Sequence, residues 1–489
     1  MDNPKPVADL RTRRGFLGAV TGSIAAPLIV PASALGRGGA TPPSDRITFG
    51  VIGCGTRGPF ESPFYVPIDE CQIVAVCDVQ RSRREDFKEK LSKLYAERKP
   101  SGTYGGIRPY EDFRDLLAQK DIDAVYIATP DHWHVPMTIL AQKAGKHCHT
   151  EKPLGVSIEM DLAALRAVRK YRKSFLYGAE RRSYLPARHA VELVLNGRIG
   201  KVKEVVVTCP FSRSGGSATP ELPVPEGWNY DLWLGPAPYA PFCADRVRKG
   251  NIFEIRDYSL GMIANWGGHP LDQVQLWADH SDLTVPVTYE GVGKIAQGGL
   301  FNCATEWNLR CTYENGLVLR YVDNKTYQTL SDVPQLTLGP DRPINNVALW
   351  VGTEGWVASA YERVFTQPGS LLTSEIGPNE IHLPKHPQHE ERIPPGLNVW
   401  DGPVAAHALG WIEDLKIQKS TKAEVKTVDP IESAFRSDLI SQLSDICIRM
   451  GRKIRWDPKK ETIVNDEAAK KMMPVPMREP WASVVRKLG

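Results

Sequence analysis

The chain has no C-x-x-C pair and no internal repeat. Beyond residue 34 it has no unbroken apolar run of about 18 residues, the length at which a membrane span becomes a candidate. Each absence removes a class of protein. The nine cysteines (54, 71, 77, 148, 209, 243, 303, 311 and 447) are an odd number at scattered spacings, which speaks against a disulfide framework or a thiolate zinc site. Cys71 and Cys77 fall in a predicted buried strand and Cys54 in a glycine turn, positions suited to small core hydrophobes. Sequence leaves room for one disulfide in an oxidising compartment. The net charge is also small. Of the net +4, Lys5, Arg11, Arg13 and Arg14 against Asp2 and Asp9 supply +2 within residues 1–34, leaving about +2 for the remainder. That is no footprint for nucleic acid.

What the N-terminus does have is an ordered series of zones. Arg13 and Arg14 precede a mildly apolar run from Phe16 to Val30, followed by the small-residue stretch Pro31-Ala32-Ser33-Ala34. The run is about 15 residues, short for a hydrocarbon layer of roughly 30 Å. This resembles a cleavable twin-arginine export signal over residues 1–34. The resemblance implies handling by the twin-arginine translocase, a periplasmic or secreted destination, and no permanent membrane anchor. Twin-arginine substrates are exported folded, so a cofactor would be loaded beforehand and held tightly. Residues 35–46, rich in Gly and Pro, read as a linker.

The strongest chemical signal starts at Ile47. A β-prone run, Ile47 to Ile52, ends in Gly53-Cys54-Gly55-Thr56-Arg57-Gly58. In a G-x-G-x-x-G turn, Gly53 permits the bend, Gly55 lets the backbone approach a pyrophosphate, and Gly58 lets a helix lie close to the strand. Thr56 and Arg57 belong to the same phosphate turn. The next strand ends in Asp78, 20 residues past Gly58, where a carboxylate would bind ribose hydroxyls or else cap the following helix. A carboxylate there repels a 2′-phosphate, so NAD is expected. Arg81, Arg83 and Arg84 keep NADP as the alternative.

Organisation follows from periodicity. Strands are predicted near 47–52, 72–78, 123–128, 146–150 and 174–178, alternating with helices near 81–97, 111–119, 135–145 and 157–172. That is an α/β pattern, a doubly wound parallel sheet over 47–180. After 180 the alternating strands at 202–207 and 317–321 suit an α+β domain over 181–489, with a large, mostly antiparallel open sheet and C-terminal helices packing back.

Two segments at predicted strand ends carry chemistry: Thr129-Pro130-Asp131-His132-Trp133-His134, and Glu151-Lys152-Pro153. With the glycine turn and Gly267-Gly268-His269-Pro270-Leu271-Asp272, they resemble the Gfo/Idh/MocA oxidoreductases in order and spacing. Trp228 to Pro236, Gly352 to Trp356 and Trp456-Asp457-Pro458 are similar to the secreted, sugar-associated branch of that family.

The resemblance implies a Rossmann domain followed by a substrate-binding and oligomerising domain, a carbohydrate substrate, and a homodimer or homotetramer. It assigns Lys152 to the active site beside the nicotinamide, where an ammonium stabilises alkoxide charge and relays a proton. His269 is the general base or acid, and Pro153 is expected to be cis. Thr129, Pro130, His134 and Glu151 are placed around the nicotinamide, with helix capping the other reading of His134. Arg182, Asn265 and Asp272 are placed on the substrate side. Arg182, like its neighbours Arg181 and Tyr184, has an interdomain salt bridge as its alternative, and Asp272 is expected to cap or orient.

Trp228, Trp233 and Trp266 offer faces for a sugar ring or simply buried bulk. No metal is expected from His132, His134, His147 and His149, since two of these alternate on a buried strand without evident carboxylate partners. Asn265 departs from the family, which commonly has an aspartate four residues before the histidine. An amide orients a hydroxyl but takes no proton.

The leading expectation is therefore hydride transfer between a sugar, polyol or glycoside and NAD. The alternatives are an NAD-dependent glycoside hydrolase working by transient oxidation and elimination, and a non-catalytic sugar-binding protein with a vestigial nucleotide site.

Overall fold

Among the described residues, six strands form a parallel sheet in the order β3-β2-β1-β4-β5-β6. They are β1 (Ile47–Ile52), β2 (Cys71–Cys77), β3 (Arg108–Tyr110), β4 (Ala124–Ile127), β5 (His147–Glu151) and β6 (Phe175–Gly178). The computed structural model describes residues 45–98, 106–216, 220–337, 344–361, 363–384, 397 and 401–488. The expected export signal and nearly all of the expected linker lie outside these residues. From Ile47 onward the chain forms one compact unit.

The centre of this sheet is covered on both faces, which explains its near-continuous apolar strands. Phe49 of β1 faces Ile73 on one side and Ala124 on the other. Helices follow each strand: Arg81–Arg98 after β2, His134–Lys143 after β4 and Ile158–Tyr171 after β5. β3 escaped the sequence reading. It has three residues, one of them Pro109, and such a strand fits only at a sheet edge.

Among the described residues the second sheet has nine strands, of which Val202–Cys209 and Val318–Asp323 run parallel and the other pairs antiparallel. Strand Ala304–Thr312 alternates buried and open side chains toward its C-terminal end, as expected when one face is covered. Helices Gly268–Ala278 and Ile431–Met450 bury most of their length between the sheets' cores. Helix Asp401–Thr421 turns back onto the first sheet, where Trp411 meets Phe49 and Tyr65 edge-on at 6.2 Å each. Its His407 joins Ser183 Oγ at 2.9 Å and the Tyr177 carbonyl at 2.9 Å, fixing the chain just beyond β6. No described helix is long and apolar enough to cross a membrane.

Candidate active site

Elements from both sheets enclose a cavity of about 440 Å³ at the carboxyl ends of β1, β2, β4 and β5. One end is the glycine turn. Gly53 has a φ of +103°, and a Cβ there would stand 2.4 Å from the Ala128 carbonyl oxygen. A Cβ on Gly58 would meet the Gly53 carbonyl at 2.1 Å, so Gly58 acts behind the turn and does not line the cavity. Above Gly55 the nearest atom is Arg83 Nη1 at 3.3 Å, which leaves an open cradle. Thr56 precedes the five-residue helix Arg57–Glu61 without a side-chain cap hydrogen bond, and it lines the cavity.

Asp78 closes this end. Its two carboxylate oxygens accept from the main-chain N–H groups of Cys54 and Gln80, each at 2.8 Å. Burial lifts its carboxyl above the usual range, against those hydrogen bonds and Arg83 and Arg84. The cradle, the Asp78 carboxylate and a buried, unpaired Thr129 Oγ1 together fit a dinucleotide.

Arg57 lines the cavity, but its guanidinium is engaged. It meets Glu151 at 2.8 Å, Glu180 at 3.1 Å and Glu61 at 3.6 Å. Burial alone would raise the Glu151 carboxyl, yet Arg57 outweighs it and carries the group down to about 2. Pro130 lines the wall beside Thr129. His134 also lines it, with Nδ1 2.7 Å from the Pro153 carbonyl and Nε2 2.9 Å from that of Thr129. The ring thus ties two strand-end loops together as well as opening its helix.

The Lys152–Pro153 peptide is cis. Lys152 Nζ donates to the Asn265 carbonyl at 2.8 Å and to Asn265 Oδ1 at 3.3 Å. Burial lowers the ammonium's pKa, with Glu151 and Asp131 opposing. Asn265 ends the short helix Met262–Asn265, and Gly267 then lets the chain turn. A Cβ on Gly267 would fall 2.0 Å from the Tyr321 hydroxyl, itself bonded to the Ile263 carbonyl. His269 follows in the first turn of Gly268–Ala278, buried in the same cavity. Its desolvation pulls the imidazole down to about 3, with Glu180 opposing. It is a neutral ring.

Tyr361 and Glu180 also belong to the site, and no sequence motif marks either. Tyr361 Oη donates to Glu180 Oε1 at 2.7 Å and lies 3.3 Å from His269 Nε2. Glu180 opens the turn after β6; despite burial, Arg57 and His269 hold its carboxyl well below the usual range. Arg181 stacks over the Tyr361 ring at 5.1 Å and donates to Asn346 and Ser359, so it fixes Tyr361. Asp131, within the Thr129–His134 segment, also lines the cavity.

The substrate-side placement of Arg182 and Asp272 gives way to their alternatives, a salt bridge for Arg182 and an orienting role for Asp272. Arg182 and Asp272 do not line the cavity; they form a buried ion pair at 2.5 and 2.6 Å, joined by Ser433 at 2.7 Å and Asp429 at 3.4 Å. They lock β6 to the helices of the second sheet and cannot reach a substrate. Among the tryptophans, Trp233 and Trp266 line the cavity, whereas Trp228 packs against Phe242. All nine cysteines are buried. The histidines go separate ways. His149 Nδ1 meets Tyr65 Oη at 2.9 Å, His147 Nδ1 accepts from Ser174 N at 3.0 Å, and His132 Nε2 faces the Trp233 carbonyl at 3.2 Å.

The first sheet's segment, residues 47–179, matches the Gfo/Idh/MocA oxidoreductase family's NAD-binding Rossmann fold. Residues 195–327 and 414–483 match that family's C-terminal alpha/beta domain. A glycosyl hydrolase family 109 protein of Saccharopolyspora erythraea is 32% identical over 149 residues, 30% of this chain and 31% of the relative. The alignment thus spans about a third of that relative's length. Among solved structures, levoglucosan dehydrogenase in complex with NADH and L-sorbose superposes with a TM-score of 0.58 at 16% identity, over 84% of this chain and 99% of that one. The WlbA dehydrogenase of Bordetella pertussis, in complex with NADH and UDP-GlcNAcA, gives 0.54 at 16% identity, over 84% and 98%. At such identities these two establish fold alone. With both family segments matched in order around one cavity, this chain belongs to the Gfo/Idh/MocA family of NAD-binding oxidoreductases.

Proposed function

We propose that this protein is an exported enzyme that oxidises or reduces a hydroxyl-bearing carbon of a sugar, polyol or glycoside with a tightly held NAD. The observation that carries this reading is a separation within one cavity. Asp78 ends β2 and Lys152 follows β5, three strand spacings away, or about 14 Å. The ribose-binding carboxylate and the reacting cation thus stand apart along a single trough.

The turn at Gly53 and Gly55 would receive the pyrophosphate, Asp78 a ribose, and Thr129, Pro130 and Glu151 the nicotinamide end. When bound, NAD supplies two-electron redox chemistry that no side chain here provides. The side chains do the rest. Lys152 presents an ammonium to the carbinol oxygen and stabilises charge as it develops. Neutral His269 accepts or returns the hydroxyl proton. Trp233 and Trp266 offer flat apolar walls to a sugar ring.

Denaturing the purified protein and weighing the released nucleotide by mass spectrometry tests this reading. One NAD(H) per chain is expected, with turnover on some member of a sugar, polyol and glycoside panel. A site that arrives empty and ignores added nucleotide overturns it. Export rests on Arg13, Arg14 and the zones after them; lysine at both positions should leave the protein inside the cell, and unchanged export would refute it.

A second reading, an NAD-dependent glycoside hydrolase, is supported by the name of the Saccharopolyspora relative and by Asn265, an amide where a proton acceptor would suit direct alcohol oxidation. It predicts release of an aglycone without accumulation of NADH.

A further inference from the structure

Trp266 is shared between two cavities. Besides lining the one around Lys152, it lines a second, of about 570 Å³, together with Phe211, Arg213, Asn324, Lys325, Gln328 and Asn345. This second cavity lies where the parallel pair Val202–Cys209 and Val318–Asp323 ends. Phe211 follows the first of these strands, and Asn324 and Gln328 bound the short helix after the other. Loops diverge at the carboxyl ends of parallel strands and leave room for a ligand. Asn324 is spent on structure: its Oδ1 accepts from Thr208 Oγ1 at 2.8 Å, and its Nδ2 donates to Asn345 Oδ1 at 2.7 Å. That orients the Asn345 amide, whose own NH2 group has no partner among the described residues, and the same holds for the amide of Gln328. Phe211 stays 39% exposed, with Lys325 Nζ 4.0 Å over its ring. The charges in the wall are answered, Arg213 by Glu254 at 3.1 Å and Lys325 by that ring and by Glu306 at 3.9 Å. Aromatic carbon beside uncharged amides suits a neutral, polyhydroxylated ring rather than an anion.

We propose that this second cavity is a subsite for a further sugar ring, so that the preferred substrate is a glycoside of at least two rings. One ring reacts beside Lys152 and His269, and its neighbour lies beyond Trp266, stacked on Phe211 and hydrogen-bonded by Gln328 and Asn345. The inference rests on the reading of the first cavity as the site of sugar chemistry, and it deepens that reading by fixing the size of the substrate. A free monosaccharide would use the first cavity and leave the second empty. Phe211, Gln328 and Asn345 do not line the first cavity, so substituting them leaves the reacting groups in place.

The test compares glucose and galactose with cellobiose, maltose and lactose on the NAD-loaded protein, by initial rates and by calorimetric binding. At least one disaccharide should show a kcat/KM about tenfold or more above that of its monosaccharide. Phe211→Ala and Gln328→Ala should each remove most of that advantage and leave the monosaccharide rates at the parent level. Both side chains are exposed, so the folded state should survive either change. Equal effects on monosaccharides and disaccharides, no effect on either, or binding of no disaccharide overturns the proposal. So does dissociation of an oligomer in Phe211→Ala, which would assign this face to a second copy of the chain. Disaccharide binding that Phe211→Ala weakens, in a protein without turnover, would sink the functional reading and leave the subsite standing. Turnover confined to monosaccharides would do the reverse.

Discussion

The hydroxyl of Tyr361 donates to Glu180 Oε1 at 2.7 Å, although the two residues are 181 positions apart. That bond brings the second sheet's loop to the mouth of the Rossmann turn and sets a phenol beside the neutral His269. Tyr361→Phe removes a donor to an ionised acceptor, worth about 1.5–3 kcal/mol. We expect kcat/KM to fall about 10- to 100-fold while NAD affinity holds, because Tyr361 acts through Glu180 and His269. Equal losses in nucleotide affinity and turnover would make Tyr361 a scaffold residue only.

The pH profile should be set by Lys152. Its ammonium is destabilised by burial, so it loses its proton below the ordinary lysine range. Activity that needs the ammonium is complete at lower pH and is lost as pH rises through that lowered value. His269, at about 3, stays neutral throughout, so no acid limb from it should appear between pH 5 and 8. Initial rates across pH 5 to 10 check both statements. Lys152→Arg should move the alkaline limb upward on whatever activity remains, since a guanidinium does not deprotonate there.

Cofactor choice should respond to Asp78. Its oxygens already accept two main-chain N–H groups, and the residue lines the cavity. Asp78→Ala should weaken NAD about tenfold or more and narrow the preference over NADP, with Arg83 close at hand to receive a 2′-phosphate. Fluorescence titration with NADH and NADPH decides it. Unchanged discrimination would show that Asp78 serves the turn alone.

How much of this was legible beforehand depended on how local each signal was. The glycine turn, Asp78 and Glu151-Lys152-Pro153 are set by short contiguous patterns, and the structure brings them to one cavity. Strands β1, β2 and β4 show as nearly continuous apolar runs, whereas buried β5 is mostly polar. Tyr361 and Glu180 are different. Each depends on residues far away in sequence, and an isolated Tyr or Glu in a loop has no period to betray it. Arg182 misled for the same reason. Arg181 and Arg182 are adjacent and alike in composition, yet one supports Tyr361 and the other is sealed against Asp272; only the packing of helix Gly268–Ala278 separates them.

A buried acid pair should make stability depend on pH. Asp161 and Asp438 share a site with Gln442, whose Nε2 reaches them at 2.7 and 3.1 Å. Burial, then Asp438, pushes the Asp161 carboxyl well above its usual range, and Asp438 is raised by burial as well. Folded values above unfolded ones mean that the native state keeps a proton the unfolded chain has released. The pair's contribution is therefore whole at low pH and is lost as pH rises through the folded values. Asp438→Asn keeps a hydrogen-bonding shape without the charge, so Tm at pH 9 should rise by about 2 °C relative to the parent, with less change at pH 5. An equal shift at both pH values would refute the shared-proton account.

The Arg182–Asp272 pair permits a test that separates fold from chemistry. Both side chains are at most 2% exposed, and Asp272 with Asp429 would be left as uncompensated buried charge in Arg182→Met. Breaking such a pair from one side costs about 3–5 kcal/mol, and burial of Asp429 beside Asp272 already strains its ionised form. The variant should unfold at markedly lower urea or temperature, yet the folded fraction should bind substrate with nearly the parent KM. Adding Asp272→Asn should cost less than the two single losses combined, since the second change relieves the charge exposed by the first. A large rise in KM with unaltered stability would instead return Arg182 to the substrate side, and the cavity described here would have to be redrawn around it.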